Sequence, residues 1–276
     1  MPTPQETQRT YAIVGTGGCG KTSLAEMLLF NAGALSRMGA IEDGTTCLDY
    51  EPEEIRRRGS IQPACATYLW KKNRHFLVDI PGDGNFTGDM EYLLKAVDGV
   101  VFVLDAVDGV RPLTKKIWNL VRAAGLPSLI VVNKLDRDRA DFQMALDGLA
   151  TLGVKPVVLQ LPIRQGDTFV GTAGILGGRA HMFSADGSTA EADIPRGIAE
   201  DVQLLRDVTV ENIAEGNEEL MEKYLEEGNL SLDDLRSGLR AGVLGGELTP
   251  VLTCSALENK GGASILDAVQ ALLPSP

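Results

Sequence analysis

The residues with the most evident chemistry form a glycine-rich segment, GTGGCGKT, at positions 15–22. The segment fits G-x-x-x-x-G-K-[ST] and stands between an apolar run typical of a strand and a stretch of helical period, the context of a phosphate-binding loop. Its glycines let backbone N–H groups turn toward an anion at a helix N-terminus. We expect Lys21 to reach the β- and γ-phosphates of a nucleotide, Thr22 to bind Mg²⁺ and Ser23 to reach the α-phosphate. A glycine-rich turn without a ligand is the alternative. The residues predicted to hold the phosphates are Gly15, Thr16, Gly17, Gly18, Cys19, Gly20, Lys21, Thr22 and Ser23.

A second candidate lies at the end of the apolar run HFLVD, where Asp79-Ile80-Pro81-Gly82 has the arrangement D-x-x-G. The Asp79 carboxylate would hold Mg²⁺ through a water molecule, and the Gly82 N–H would bond the γ-phosphate. Loss of that phosphate would then release the loop that follows. The pattern is short, and its weight comes from its place after a long polar segment at 33–60, which we interpret as a conformational switch.

A third polar cluster, Asn133-Lys134-Leu135-Asp136, follows the apolar run SLIVV. Asp136 can accept hydrogen bonds from the N1–H and the exocyclic amine of guanine, and adenine offers neither donor. Two bonds to a charged acceptor, at about 1.5–3 kcal/mol each, discriminate by roughly 10² to 10⁴, which favours guanine. An exposed polar strand end is the alternative. The tripeptide 255–257 could place an N–H on the guanine O6, although alone it carries little weight. The residues predicted to contact the base are Asn133, Lys134, Asp136, Ser255, Ala256 and Leu257.

These motifs require a sheet whose strand ends meet at one edge. Short apolar runs alternate with segments of helical period, and the continuous run GVVFVLDA at 99–106 is typical of a parallel strand buried on both faces. We therefore predict an α/β P-loop NTPase fold, doubly wound around a mainly parallel sheet. The predicted strands are 11–15, 64–71, 75–80, 99–106, 128–133 and 249–256, and the predicted helices are 22–31, 90–97, 113–124, 138–152 and 263–273.

The alternation of predicted strands and helices changes in the middle of the chain. Short strand signals at 157–162, 169–172 and 179–183 precede a charged stretch at 195–241 that predicts two or three surface helices. This predicts an inserted α+β subdomain at 157–247. The main domain would then comprise residues 8–156 and 248–274.

Composition narrows the classes of function. The chain has 276 residues and a formal net charge of −12, which argues against direct, sequence-specific nucleic-acid binding by this domain. Its four cysteines are widely scattered and include no C-x-x-C pair, and only two histidines are present to complete a transition-metal site. The longest apolar runs are far shorter than the roughly 20 residues of a membrane span, and the polar start is not a signal peptide. We expect a cytoplasmic monomer that does not contact membranes.

Longer segments of the sequence resemble translational GTPases, specifically elongation factor G and its paralogous elongation factor G-like proteins. The resemblance spans nearly the whole chain. The segments are GTTCLDYEPEEIRRRGSI at 44–61, NFTGDMEYLLKAVDGVVFVLDAVDGVRP at 85–112, NKLDR at 133–137, PVVLQLPIRQGDTFVG at 156–171 and TPVLTCSALENKG at 249–261.

This resemblance implies a GTP-binding G domain in which 157–247 is the G′ insertion that Tu-type factors lack. It implies Mg²⁺-dependent hydrolysis of GTP to GDP and phosphate, coupled to elongation on the ribosome through a full-length factor. The ending Leu-Leu-Pro-Ser-Pro falls where the family enters its second domain.

The sequence departs from that family at two points. Where elongation factor G has D-T-P-G-H, this chain ends the same motif with Asp83 in place of the histidine that orients the attacking water. A carboxylate repels the γ-phosphate and, when ionised, can only accept a hydrogen bond. The family's R-G-I-T becomes Arg58-Gly59-Ser60-Ile61, in which Ser60 stands for the threonine that binds Mg²⁺.

Three hypotheses follow. The first is a GTPase with Lys21, Gly82 and Asp83 as its catalytic residues and Thr22, Ser60 and Asp79 around the metal. The alternative to a catalytic role is that Asp83 points to solvent and hydrolysis waits on a partner. The second is a GTP/GDP-sensing module with little or no hydrolysis because of Asp83. The third, an interaction scaffold without nucleotide, would have to ignore both nucleotide motifs.

Overall fold

The computed structural model describes residues 7–184 and 188–276. The polar start at 1–6 and residues 185–187 of the predicted insertion lie outside the described residues. The strands are β1 Gln8–Val14, β2 Ala64–Trp70, β3 Asn73–Asp79, β4 Gly99–Asp105, β5 Ser128–Asn133, β6 Pro156–Val158, β7 Gln160–Gln165, β8 Thr168–Gly174, β9 Arg179–Phe183, β10 Thr189–Ala192 and β11 Thr249–Thr253. The α-helices are α1 Lys21–Asn31, α2 Pro52–Arg57, α3 Thr87–Leu94, α4 Pro112–Ala123, α5 Phe142–Ala150, α6 Ala199–Glu215, α7 Glu218–Glu227, α8 Leu232–Leu244 and α9 Gly262–Leu272.

The larger sheet has seven strands in the order β2-β3-β1-β4-β5-β11-β6. All its pairs are parallel except the β2–β3 hairpin. Every residue of the central β4 is buried, as the apolar run at 99–106 predicts. The predicted α/β fold with a mainly parallel sheet is confirmed.

Alternate residues of each central strand enter two separate apolar cores. Val101 and Val103 pack with residues of α1 and α9, whereas Phe102 packs on the opposite face with α3, α4 and α5. There the ring of Trp118 meets that of Phe102 edge-on at 5.1 Å. Because both faces are covered, the loops at the strand ends are what remains accessible for binding.

The smaller sheet is antiparallel, in the order β10-β9-β8-β7, and α6, α7 and α8 follow it in the chain. The sequence predicts one strand over 157–162, and the structure divides it. Pro156–Val158 pairs with β11 in the large sheet, whereas Gln160–Gln165 begins the small one. The division falls at Leu159, whose N–H donates to Val251 while its carbonyl accepts from Ile175.

Several other boundaries differ from the sequence prediction, and α3, for example, spans Thr87–Leu94 rather than 90–97. Helix α5 begins at Phe142 rather than 138, because the Asp141 side chain caps it by accepting from the Met144 N–H at 2.9 Å. The polar segment 33–60 contains the six-residue helix α2, which Glu51 and Glu54 close in a capping box. A helix of under two turns is too short to show a period.

Across the described part of the chain, no helix is both long and apolar enough to cross a membrane.

Candidate nucleotide-binding site

Loops from the carboxyl edge of the large sheet surround a cavity of about 390 Å³. The glycine loop, Ser60 and the segment 79–83 form what we call the phosphate side, and the loops 133–137 and 255–257 form the base side. Residues far apart in the sequence therefore meet, as the motifs require. The lining residues are Gly17, Gly18, Gly20, Lys21, Thr22, Ser23, Ile41, Glu42, Arg57, Arg58, Gly59, Ser60, Gly82, Asp83, Asn133, Lys134, Asp136, Arg137, Ala256 and Leu257.

Two glycines allow the loops to approach one another. Gly20 has φ 92°, and a Cβ there would lie 2.4 Å from the Asn133 Nδ2. A Cβ on Gly82 would lie 2.3 Å from the Lys21 Nζ and 2.2 Å from the Gly15 carbonyl oxygen. A side chain at either position would displace a predicted ligand-binding group, so both positions require glycine.

The phosphate side brings Lys21 and the segment 79–83 together. Lys21 is buried, and its Nζ donates to the Thr16 carbonyl at 3.1 Å. The Gly17 N–H donates to the Gly82 carbonyl at 2.8 Å, which ties the glycine loop to that segment. A buried ammonium group among backbone dipoles is suited to bind a polyanion.

The predicted metal residues also lie together. Thr22 Oγ1 donates to Asp79 Oδ2 at 2.7 Å and lies 3.0 Å from Ser60 Oγ. Asp79 is only 1% exposed, and its Oδ1 has no partner among the described residues. Burial raises the pKa of Asp79 to about 6, although Lys21 and the Thr22 hydroxyl oppose the shift. A buried carboxylate oxygen without a partner, beside two hydroxyl groups, is a donor set that fits Mg²⁺.

Sequence reasoning missed three buried carboxylates near this side. Glu26, on α1, accepts from the N–H groups of Gly39 and Cys47, and so attaches the polar segment 33–60 to the helix that follows the glycine loop. Its position in the apolar run LAEMLLF was a signal, because a lone acid in a buried helix face needs partners. Glu54 accepts from the Ile61 N–H at 2.8 Å, one residue beyond Ser60.

Asp49 is the third of these carboxylates. Its Oδ2 lacks a partner within the described residues. Burial raises the pKa of Asp49, while the Ser60 hydroxyl group lowers it. Nothing in the local sequence distinguishes Asp49 from other acids of the segment 33–60. Its burial arises only when that segment folds over α1.

The base side has its buried polar groups paired. Asn133 donates through Nδ2 to the Cys19 carbonyl and accepts at Oδ1 from the Ala256 N–H, both at 3.0 Å. Ser255 Oγ donates to Asp136 Oδ1 at 2.6 Å. These contacts join the two base-side loops to each other and to the glycine loop, and they fix the Asp136 carboxylate in place. A second pair joins Lys134 Nζ to Asp105 Oδ2 at 2.7 Å.

Asp83 lies in a different environment from these buried groups. Its side chain is 41% exposed, its Oδ1 accepts from the Asn85 N–H, and its Oδ2 lies 3.8 Å from Arg57 Nη2. Arg57 belongs to α2 and also lines the cavity. The sequence presents Arg57 only as part of a basic run, so its position opposite Asp83 was not predicted.

Most predicted residues line the cavity, and some lie behind its wall. Cys19 is buried, and burial raises the pKa of its thiol. A Cβ on Gly15 would lie 2.5 Å from the Val103 carbonyl oxygen, so Gly15 brings the glycine loop close to β4. These residues position their neighbours. The predicted residues outside the lining are Gly15, Thr16, Cys19, Asp79 and Ser255.

The fold and this cavity define a P-loop nucleotide-binding domain that carries an inserted subdomain. A family model described as the elongation factor Tu GTP binding domain matches residues 6–275. The chain belongs to this family, and it is the G domain of a translational GTPase that binds GTP and GDP. Membership in a family of GTP-binding domains favours neither the hypothesis of a sensor without hydrolysis nor that of a scaffold without nucleotide.

A solved structure has the same fold. A protein of known crystal structure from Thermus thermophilus is 36% identical to this chain and superposes on it with a TM-score of 0.92. The match covers 97% of this chain and 40% of that protein. The chain therefore spans about two-fifths of the length of the protein that it resembles.

Proposed function

We propose that this domain serves an elongation factor G-like translation factor, in which GTP hydrolysis to GDP and phosphate is coupled to elongation on the ribosome. One observation carries the proposal: the four nucleotide motifs meet around a single cavity, with Asp79 bonded to Thr22 and Asp136 bonded to Ser255. The segments that resemble elongation factor G, including the insertion, support the finer assignment. We place the factor in the cytoplasm as a monomer that meets the ribosome through its full-length form.

In this proposal residues 8–156 and 248–274 are the G domain, and residues 157–247 are a G′-like insertion. Val157 and Val158 also belong to the large sheet, because β6 pairs with β11. The insertion would present its charged helices to a partner and would take no part in the bond that is broken.

The proposed hydrolysis uses groups on the phosphate side. The Lys21 ammonium and the Gly82 N–H would stabilise the negative charge that develops on the transferred phosphoryl group. Thr22, Ser60 and Asp79 would hold Mg²⁺, which when bound neutralises charge on the β- and γ-phosphates. Asp83 would lie beside the attacking water, where Arg57 offsets the negative charge of the carboxylate. On the base side, Asp136 would accept from guanine, with Asn133 holding the two loops together.

Nucleotide titration and single-turnover hydrolysis test this proposal. We expect saturable binding of GTP and GDP that ATP does not displace, and hydrolysis that ribosomes accelerate. Hydrolysis by Asp83→His and Asp83→Ala, compared with that of the parent protein, measures what the Asp83 side chain contributes. Asp89→Ala, a change on the exposed start of α3, is the control. Equal competition by ATP would contradict the base assignment. Hydrolysis that ribosomes leave unchanged would contradict the coupling to translation.

A further inference from the structure

The first hairpin of the inserted sheet, β7–β8, contacts the base-side loop 133–137 and Lys260, which lies three residues beyond the base-side loop 255–257. From β7, Arg164 donates through Nη1 to the Ala140 carbonyl at 3.2 Å and through Nη2 to the Arg137 carbonyl at 3.3 Å. Its Nη2 also donates to the backbone carbonyl of Asp167, within the same hairpin, at 2.7 Å. Arg164 therefore joins the inserted hairpin to the turn that immediately follows Asp136.

The second contact comes from the other loop. Lys260 Nζ donates to the carbonyl of Phe169, on β8, at 2.7 Å, and the Lys260 side chain is only 16% exposed. Its backbone exchanges two hydrogen bonds with Ser255, at 2.9 and 3.1 Å. Movement of β8 would therefore move the backbone that carries Ser255.

Both paths end at the same carboxylate. Ser255 Oγ donates to Asp136 Oδ1 at 2.6 Å, and Arg137 Nε lies 3.4 Å from Asp136 Oδ2. The Asp136 side chain is 8% exposed, so these neighbours largely determine its orientation. One oxygen is thus held through Lys260 and Ser255, and the other through Arg164 and Arg137.

We infer that Arg164 and Lys260 are positioning residues for guanine recognition, through which the inserted hairpin sets the orientation of Asp136. The inference rests on the proposed role of Asp136 as the acceptor of the guanine N1–H and exocyclic amine. Hydrogen bonds to a carboxylate weaken steeply as their angle is lost. A change in the hairpin therefore alters selectivity for the base while leaving the Lys21 contacts to the phosphates in place.

The ratio of dissociation constants for inosine diphosphate and GDP measures this effect, because inosine lacks the exocyclic amine. In the parent protein we expect inosine diphosphate to bind at least about tenfold more weakly than GDP, as the loss of one bond to a charged acceptor predicts. Lys260→Met and Arg164→Met should each lower that ratio about threefold or more, because the bond that inosine cannot form is already weakened. Arg179→Met is the matched control, since Arg179 pairs with Asp193 elsewhere in the same sheet.

The outcomes separate this inference from the function on which it rests. A parent ratio near one would overturn the role of Asp136 and the base assignment with it. A strong parent preference that both methionine variants retain would overturn the positioning role alone. If the methionine variants do not fold, Arg164→Lys, which keeps a single donor where Arg164 uses two nitrogens, decides the question. A lowered ratio in it supports the inference, and a parental ratio overturns it.

Discussion

On the base side of the cavity, the side-chain polar atoms of Asn133 and Asp136 are bonded to or paired with other protein groups, and Lys134 pairs with the buried Asp105 of β4. On the phosphate side, Asp79 Oδ1 is buried with no partner in the described ranges, and so is Oδ2 of the nearby Asp49. The base side is therefore formed by the protein alone. The phosphate side holds buried charge whose interactions a bound cation and nucleotide would complete. The base side therefore favours the stability of the ligand-free protein, whereas the phosphate side favours ligand binding at a cost to that stability.

The physical reason is the cost of desolvation. When a buried carboxylate is paired and hydrogen-bonded, those interactions offset most of the free energy lost on removing it from water. For an unpaired buried carboxylate, that desolvation cost is not offset. Ligand binding to the folded state then stabilises the protein. The phosphate side thus lowers the stability of the ligand-free protein, and binding restores it.

The largest expected effect is on nucleotide affinity, when the buried ammonium group of Lys21 in the glycine loop is removed. Lys21→Met should weaken GDP binding by about 10² to 10⁴, because two or more bonds to charged phosphate oxygens are lost at about 1.5–3 kcal/mol each. Isothermal titration measures the loss. Lys155→Met, which removes an exposed ion pair with Glu215, is the control and should bind as the parent does. A loss under tenfold for Lys21→Met would show that the phosphate side does not depend on this group.

The next prediction compares Asp79, on the phosphate side, with Asp105, the buried partner of Lys134 on the base side. Asp105→Asn should lower the free energy of unfolding of the ligand-free protein by about 1–3 kcal/mol, because Lys134 loses its charged partner and remains partly buried. Asp79→Asn should raise it by about 1–2 kcal/mol, because a buried charge is removed while the oxygen that accepts from Thr22 remains.

Urea denaturation in the presence of EDTA measures both variants of this pair. Changes of opposite sign in the free energy of unfolding would support the comparison between the two sides. The same sign for the two changes would refute it.

The pH dependence of the Asp79 effect follows from its pKa. In the folded protein the pKa is about 6, against an ordinary value of 3.8, so the unfolded chain loses the proton first as the pH rises. The stabilising contribution of the protonated carboxyl is complete below about pH 4 and is lost as the pH rises through 6. The advantage of Asp79→Asn over the parent should therefore grow between pH 4 and pH 6 and level off above it. An advantage that does not change with pH would contradict a raised pKa.

The smallest expected effect concerns the exposed ion pair. Arg57→Ala should change the unfolding free energy by less than about 1 kcal/mol, because Arg57 and Asp83 are separated by 3.8 Å and partly solvated. Its effect on single-turnover hydrolysis should be larger than that of Arg56→Ala, whose partner Glu53 lies on the outer surface of the same helix. Equal hydrolysis rates for the two variants would show that Arg57 does not support Asp83.

Local patterns predicted most of the elements because the signals that define them are local. The run 99–106 was predicted as a buried strand from its apolar continuity, and β4 confirms it. The same reasoning failed where tertiary contacts select the boundary. The strand predicted at 157–162 divides at Leu159, because one part pairs with β11 and the other with β8. No pattern within those six residues distinguishes the two partners.

Residue types at fixed spacing define the chemistry of the predicted ligand groups: a phosphate-binding loop, a D-x-x-G carboxylate and an N-K-x-D acceptor. Tertiary structure decided which groups are paired and which are not. Asp79 and Asp136 are both acids at or just beyond the end of a strand, yet only the fold leaves an oxygen of Asp79 without a partner among the described residues and gives Asp136 a bond from Ser255. That difference arises because partners 119 residues apart in the chain are brought together only by the order of the strands.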